Sequence, residues 1–91
     1  MNAKRDRLQI IHDILRVVAD RNGRVKPTHI LYKANLSYKM LDEYLKELIS
    51  KGFMAEVAGK PGKSYALSEK GFAYLNNYKI IVEFSDSFGL N

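Results

Sequence analysis

The sequence contains no cysteine, which excludes disulfides, thiolate metal sites and redox chemistry through thiols. Its only histidines are His12 and His29. They fall on segments that read as separate helices, with no spaced set of carboxylates beside them. A metal centre draws three or four ligands together, so neither a metal nor a cofactor is expected. No apolar run approaches the ~20 residues that cross a bilayer. The opening stretch, Met1-Asn2-Ala3-Lys4-Arg5-Asp6-Arg7, lacks the apolar core of a secretory signal, so the expected location is cytoplasmic. No internal repeat, low-complexity tract or linker is visible, and residues 1–91 read as a single domain.

What is present is a folded chain of modest size. Hydrophobic residues make up 46% of 91 positions, well above the range of disordered segments. A domain this short buries a small core and gains from a partner chain. Fifteen Lys and Arg against ten Asp and Glu leave a net charge of +5. That balance favours polyanionic partners, nucleic acid first, although it also serves solubility alone.

Leu8, Ile11, Leu15 and Val18 repeat at the spacing of one helix face, with Ile10, Ile14 and Val17 beside them. The pattern predicts a helix over 4–21 that buries a wide face and stops at Asn22-Gly23. Arg24-Val25-Lys26 reads as short and extended. Pro27 suits the first position of a second, brief helix through Ala34. Asn35-Leu36 makes a turn, and Ser37 caps a third helix running from Tyr38 to about Lys51. In that helix Leu41, Leu45, Leu48 and Ile49 face inward with Tyr44 beside them, and Tyr38, Lys39, Asp42, Glu43 and Lys46 face outward. Phe53–Ala58 and Ser64–Leu67 read as two strands joined by Gly59-Lys60-Pro61-Gly62-Lys63, where Pro-Gly fits the centre of a type II turn. Ser68 caps a last helix reaching about Phe88, with Glu69 in its first turn. A hairpin directly after a tight helix pair is the winged helix-turn-helix arrangement, mainly α with a small β-hairpin, and the second helix of the pair is its groove reader.

Catalytic patterns fail on inspection. Gly62-Lys63-Ser64 looks like the end of a phosphate-binding loop, but Val57 stands where that loop needs glycine, and a strand follows where it needs a helix. His29, Ser37 and Asp42 are the residue types of a hydrolase triad, but no strand-to-helix nucleophile elbow surrounds Ser37. No enzymatic activity is expected.

The binding reading is double-stranded DNA. The expected contacts are Arg24, Lys26, Thr28, Lys33, Ser37, Tyr38, Lys39 and Lys46 on the helix pair, with Lys60 and Lys63 on the wing. The reading helix, about 37–51, would enter the major groove, and the basic wing, 59–63, would lie along the backbone. Tyr38 could equally be a packing residue. Asp42 and Glu43 repel phosphates, and Asp42 with Lys46 and Glu47 with Lys51 stand at ion-pair spacing. These acidic residues keep a second reading open: a protein-interaction module without DNA binding.

The last helix carries its own signal. Tyr74, Ile81 and Phe88 recur every seven residues, with Asn77 and Phe84 at the intervening positions and Leu75, Tyr78 and Val82 widening the stripe. Phe72 and Leu75 suffice to anchor this helix to its own head. Tyr74, Tyr78, Ile81, Phe84 and Phe88 then form a surplus apolar face, expected to be a homodimer interface over 68–88 unless the wide first helix covers it within one chain.

Three segments carry a resemblance. Ile30-Leu31-Tyr32-Lys33-Ala34-Asn35-Leu36-Ser37-Tyr38 resembles the helix-turn-helix of the archaeal ten-kilodalton winged-helix DNA-binding proteins, which are chromatin-associated proteins or predicted transcriptional regulators. Leu48-Ile49-Ser50-Lys51-Gly52-Phe53-Met54 is similar to their exit from the reading helix into the wing, and Leu67-Ser68-Glu69-Lys70-Gly71-Phe72 to their entry into the last helix. The resemblance implies an antiparallel dimer through the C-terminal helix with two heads facing DNA. This sequence departs from that pattern in its largely aromatic last-helix stripe, interrupted by Asn77 and Ser85.

Overall fold

Asp6 opens the first helix. Its side chain accepts the Gln9 amide at 2.8 Å, and the Gln9 side chain accepts the Asp6 amide at 3.0 Å, a reciprocal box that satisfies two otherwise orphaned donors. The computed structural model describes residues 5–57 and 62–89. In chain order they form α1 (Arg7–Asp20), α2 (Pro27–Ala34), α3 (Tyr38–Ser50), β1 (Met54–Val57), β2 (Ser64–Leu67) and α4 (Glu69–Ser87). The first helix begins at Arg7 and not at the expected Lys4, because Asp6 is extended and caps it; the expected strand end at Ala58 and the wing residues Gly59, Lys60 and Pro61 lie outside the described residues.

The core is where α1, α2, α3 and the hairpin meet. Ile14, Leu15, Val18, Val25, Ile30 and Leu48 are its fully buried side chains, each contributing roughly 1.5–3 kcal/mol by leaving water. The strands pair antiparallel in the register Met54↔Leu67, Ala55↔Ala66, Glu56↔Tyr65 and Val57↔Ser64. A third segment joins them: Val25 bridges Tyr65. The Tyr65 amide donates to the Val25 carbonyl at 3.0 Å, and the Tyr65 carbonyl accepts from Gly23 at 3.1 Å. Gly23 holds φ +85°, a conformation that glycine adopts without a side-chain clash. The expected extended piece at 24–26 is therefore the outer rail of the wing.

The entry to α4 is tightly built. Ser68 Oγ accepts the Gly71 amide at 3.2 Å and donates to the Gly52 carbonyl at 2.5 Å. The Ser68 amide donates to the Phe53 carbonyl at 3.2 Å. Gly71 is buried, and any Cβ on it would run into that same Phe53 oxygen. Further on, Tyr74 packs edge-on against Phe53, with ring centroids 6.0 Å apart, and Tyr78 stacks on His12 at 4.3 Å.

Two assignments made from periodicity need correcting. Leu8, expected in the buried stripe of the first helix, is 57% exposed; it is the second residue of α1, at the margin of the cleft between α1 and α4. Phe72, expected to anchor the last helix, is 45% exposed. The glycine beside it takes the contact position, which turns Phe72 about 100° away. Anchoring falls to Gly71, Tyr74, Leu75 and Tyr78.

Candidate nucleic-acid interface

The helix pair is set by a three-residue turn. Asn35 takes the left-handed conformation, φ 56° and ψ 60°, and its amide donates to Leu31. Asparagine is among the few side-chain-bearing residues that enter this region readily. Leu36 drops into the core at 8% exposure while its amide donates to the Leu31 carbonyl at 3.0 Å. Ser37 Oγ then accepts the Met40 amide at 3.1 Å, which starts α3. Leu41, Leu45 and Leu48 pull one side of α3 into the core. The opposite side, with Lys39, Asp42, Glu43 and Lys46, is left fully in solvent.

Of the ten residues expected to meet DNA, nine are described: Arg24, Lys26, Thr28, Lys33, Ser37, Tyr38, Lys39, Lys46 and Lys63. All nine are exposed; Lys60 lies outside the described residues. Tyr38 is 70% exposed, so it takes no part in packing the head. Its neighbour across the turn, Tyr32, is equally open, although nothing in the spacing singles it out.

The charges are not equally free. Lys46 pairs with Asp42 at 3.0 Å and Lys51 with Glu47 at 2.7 Å, both at the expected spacing. On the wing Lys63 reaches Glu56 at 3.4 Å. Among the described residues, Arg24, Lys26, Lys33 and Lys39 make no ion pair. These are the cations ready to meet a phosphate without first releasing a carboxylate.

Two arginines ahead of the core hold this surface in place. Arg5 donates to the Asn35 carbonyl at 3.0 Å while pairing with Asp13 at 2.6 Å. Arg7 pairs with Glu47 of α3 and lies over the Tyr44 ring at 5.6 Å. The hydrogen bonds from Arg7, then from Lys51, hold the Glu47 carboxyl down at about 2, from an ordinary 4.5. Glu47 correspondingly raises the Arg7 guanidinium. Sequence gives no sign of these contacts, because Arg7 and Glu47 stand 40 residues apart.

The second surface is α4. Tyr74 and Tyr78 are half-buried against α1; Tyr74 Oη donates to the Leu8 carbonyl at 2.9 Å. Burial raises both phenols above their usual range, as it does for Tyr65 in the wing. Ile81, Phe84 and Phe88 are 63%, 59% and 65% exposed. The expected stripe therefore divides, its first half covered by its own chain and its second half bare. Leu8, Phe53, Tyr74, Tyr78 and Ile81 line an apolar cleft of about 320 Å³ at the join.

Among the described residues no group of His, Asp and Glu is placed to hold a metal ion, and no helix is long and apolar enough to cross a membrane. A family model described as winged helix-turn-helix matches residues 4–85. The chain is 36% identical over 70 residues to an uncharacterised protein of Methanocaldococcus jannaschii, covering 77% of this chain and 30% of that protein. It is 32% identical over 68 residues to a second one from the same organism, covering 75% of this chain and 64% of that protein. The chain thus spans under two thirds of the length of either curated relative. Its backbone is similar to the crystal structure of Sso10a-2, a DNA-binding protein from Sulfolobus solfataricus. The TM-score is 0.73 at 23% identity, over 92% of this chain and 85% of that one.

Proposed function

The chain belongs to the winged helix-turn-helix family, and from that premise we propose that it binds double-stranded DNA as a homodimer, acting as a regulator or an architectural chromatin component. The observation that carries the reading is the turn at Asn35, Leu36 and Ser37. It fixes α3 with its inner leucines buried and its outer face bare, flanked by the unpaired cations Lys26, Lys33 and Lys39. A helix so presented fits the major groove, where side chains near its N-terminal end reach base edges. Lys63 and the basic wing residues lie along the backbone, and Arg24 and Thr28 meet flanking phosphates. Sso10a-2, whose backbone this chain resembles, is a DNA-binding protein, which agrees with this reading. An electrophoretic mobility shift with a duplex at two salt concentrations tests it: binding that weakens with salt is expected, and no binding at low salt overturns it.

One observation favours the protein-interaction alternative. α3 is nearly charge-balanced, with Lys46 and Lys51 held by Asp42 and Glu47. A chain that ignores duplexes but retains its fold would move the assignment there.

The dimer part of the proposal rests on a symmetry in α4. Measured from Ile81, the residues Tyr74, Tyr78, Phe84 and Phe88 stand at −7, −3, +3 and +7, and Asn77 and Ser85 at −4 and +4. A spacing that reads the same in both directions suits antiparallel pairing about a two-fold axis at Ile81, the isologous arrangement of a symmetric dimer. Phe84 and Phe88 of one copy then fill the cleft beside Tyr74 and Tyr78 of the other, and Asn77 meets Ser85.

A further inference from the structure

We propose that the recess between the end of α1 and the outer flank of α2 is an anion site for a phosphoryl group. The recess has a volume of about 300 Å³ and is lined by Val17, Asp20, Arg21, His29 and Lys33. Its geometry follows from the helices. Ile30, Leu31 and Ala34 bury one side of α2. His29 and Lys33, one turn apart, therefore share a flank, and that flank meets the last turn of α1. Thr28 and Tyr32 lie on the other flank. The recess is thus a separate feature from the outer face of α3; it shares Lys33 with the DNA reading, whereas Arg21 and His29 belong to the recess alone.

The charges in the recess favour an anion. Among the described residues Asp20 is its only carboxylate, and Arg16 engages that group from outside at 3.6 Å. Arg21 and Lys33 make no ion pair among the described residues. Arg21 offers a planar fork that matches two oxygens of one phosphate, and Lys33 adds a compact positive charge. His29 contributes a ring N–H donor in either protonation state. Val17 supplies an apolar wall. A cavity of this size is at the lower end of small-ligand pockets, large enough for a phosphoryl group and part of the moiety that carries it. That moiety is either the backbone of a duplex or a free phosphorylated small molecule.

The two histidines make the test direct, because His12, stacked on Tyr78 outside the recess, is an internal reference. Inorganic phosphate is titrated into labelled protein at constant ionic strength while both histidine rings and the Arg21 and Lys33 amides are followed by NMR. The expected result is a saturable shift at His29, Arg21 and Lys33 with His12 unmoved. The double variant Arg21→Ala with Lys33→Ala should weaken that binding about tenfold or more, the loss of one or two charge-assisted hydrogen bonds. Should the double variant lose its thermal transition, the single exposed change Lys33→Gln carries the same comparison. A short duplex is then added. If it shifts His29 and phosphate competes, the group bound is backbone phosphate; if His29 ignores the duplex while the phosphate titration saturates, a free phosphorylated compound is the ligand. Either outcome supports the site. Phosphate shifts that never saturate, or that are equal at His12 and His29, overturn it. A duplex that does not bind at all removes the DNA reading and leaves this one standing.

Discussion

Asn22 Oδ1 accepts the backbone amide of Leu67 at 2.7 Å across 45 residues of sequence. Tyr65 turns its amide and carbonyl toward Val25 and Gly23, and alternation along the strand aims the Leu67 amide the same way. The rail of the wing has no further backbone group there, so a side chain completes the ladder. Asn22→Ala leaves a half-buried N–H without its acceptor, at a cost of about 1–3 kcal/mol. Chemical denaturation should show a lower midpoint with an unchanged slope; an unaltered midpoint would show that water replaces the amide oxygen freely.

Gly71→Ala sets two effects against each other. In an isolated helix the change gains about 1 kcal/mol of propensity. Here the new methyl meets the Phe53 carbonyl, which is held by the Ser68 amide and cannot yield, and overpacking of this kind costs about 1–3 kcal/mol. The clash should win, lowering the melting temperature by several degrees, since about 1 kcal/mol corresponds to roughly 4–8 °C in a domain of this size. A higher melting temperature would mean that α4 pivots away from the hairpin.

Position 81 tests the dimer. Ile81→Asp places a charge in the apolar seam, costing several kcal/mol if that seam is closed, and sedimentation should report monomer. With no native cysteine, Ile81→Cys gives a single thiol per chain. Antiparallel pairing about this residue brings the two thiols together, so mild oxidation should yield a covalent dimer. A folded dimer of Ile81→Asp, or no cross-link from Ile81→Cys, rules out this register.

Binding to a duplex should be largely electrostatic. Release of ~6 counterions by the dimer gives a slope of about −5 for log affinity against log salt. Lys60→Ala with Lys63→Ala should weaken all duplexes alike and make the slope shallower by about one per lost contact. Lys39→Ala should instead alter preference between unrelated duplexes, because a base contact contributes ~1–3 kcal/mol of discrimination. A wing variant with unchanged affinity and slope would place the hairpin away from the DNA.

The Arg7–Glu47–Lys51 cluster predicts an acid response. Glu47 ionises near 2 in the fold, against an ordinary 4.5. A depressed carboxyl stabilises the fold fully above pH 4.5 and loses that contribution as pH falls toward 2. Glu47→Gln should therefore melt below the parent at neutral pH, with the difference closing between pH 4.5 and 2. The cluster is solvent-exposed, so the gap should be small; a gap that persists at pH 2 would show that the side chain acts through packing instead.

The parts legible in the sequence are those set by local rules. Ser37 and Ser68 cap their helices, Pro27 opens α2, and the leucine spacing of α3 gives its inner face, because each depends on neighbours within a turn or two. Leu8 and Phe72 were illegible for the opposite reason. Their environments depend on how α4 seats on the rest of the head, and Gly71, which has no side chain to enter a periodicity count, sets its approach to Phe53 and Leu67. Tyr74 and Tyr78 show a further limit: a seven-residue repeat marks an apolar stripe without saying whether α1 or another chain covers it. The candidate interface divides similarly. Exposure of the lysines on α3 and the Asp42–Lys46 pair follow from helix phase, but the wing residue Lys63 is held by Glu56, which reaches it only through strand pairing.

Arg5, just ahead of α1, and Arg7, its first residue, bear on how this head could be used as a module. The carbonyl at the helix-helix corner is satisfied by Arg5, and the far end of the reading helix is tied to Arg7 through Glu47. A graft that transplanted only the helix pair and hairpin would leave the Asn35 carbonyl without its Arg5 donor and the Glu47 carboxylate without Arg7, and the recognition helix would be free to rock in its new host. The smallest portable unit therefore begins before the first helix, and a fusion joined in place of residues 5–7 would detune the very surface it was meant to carry.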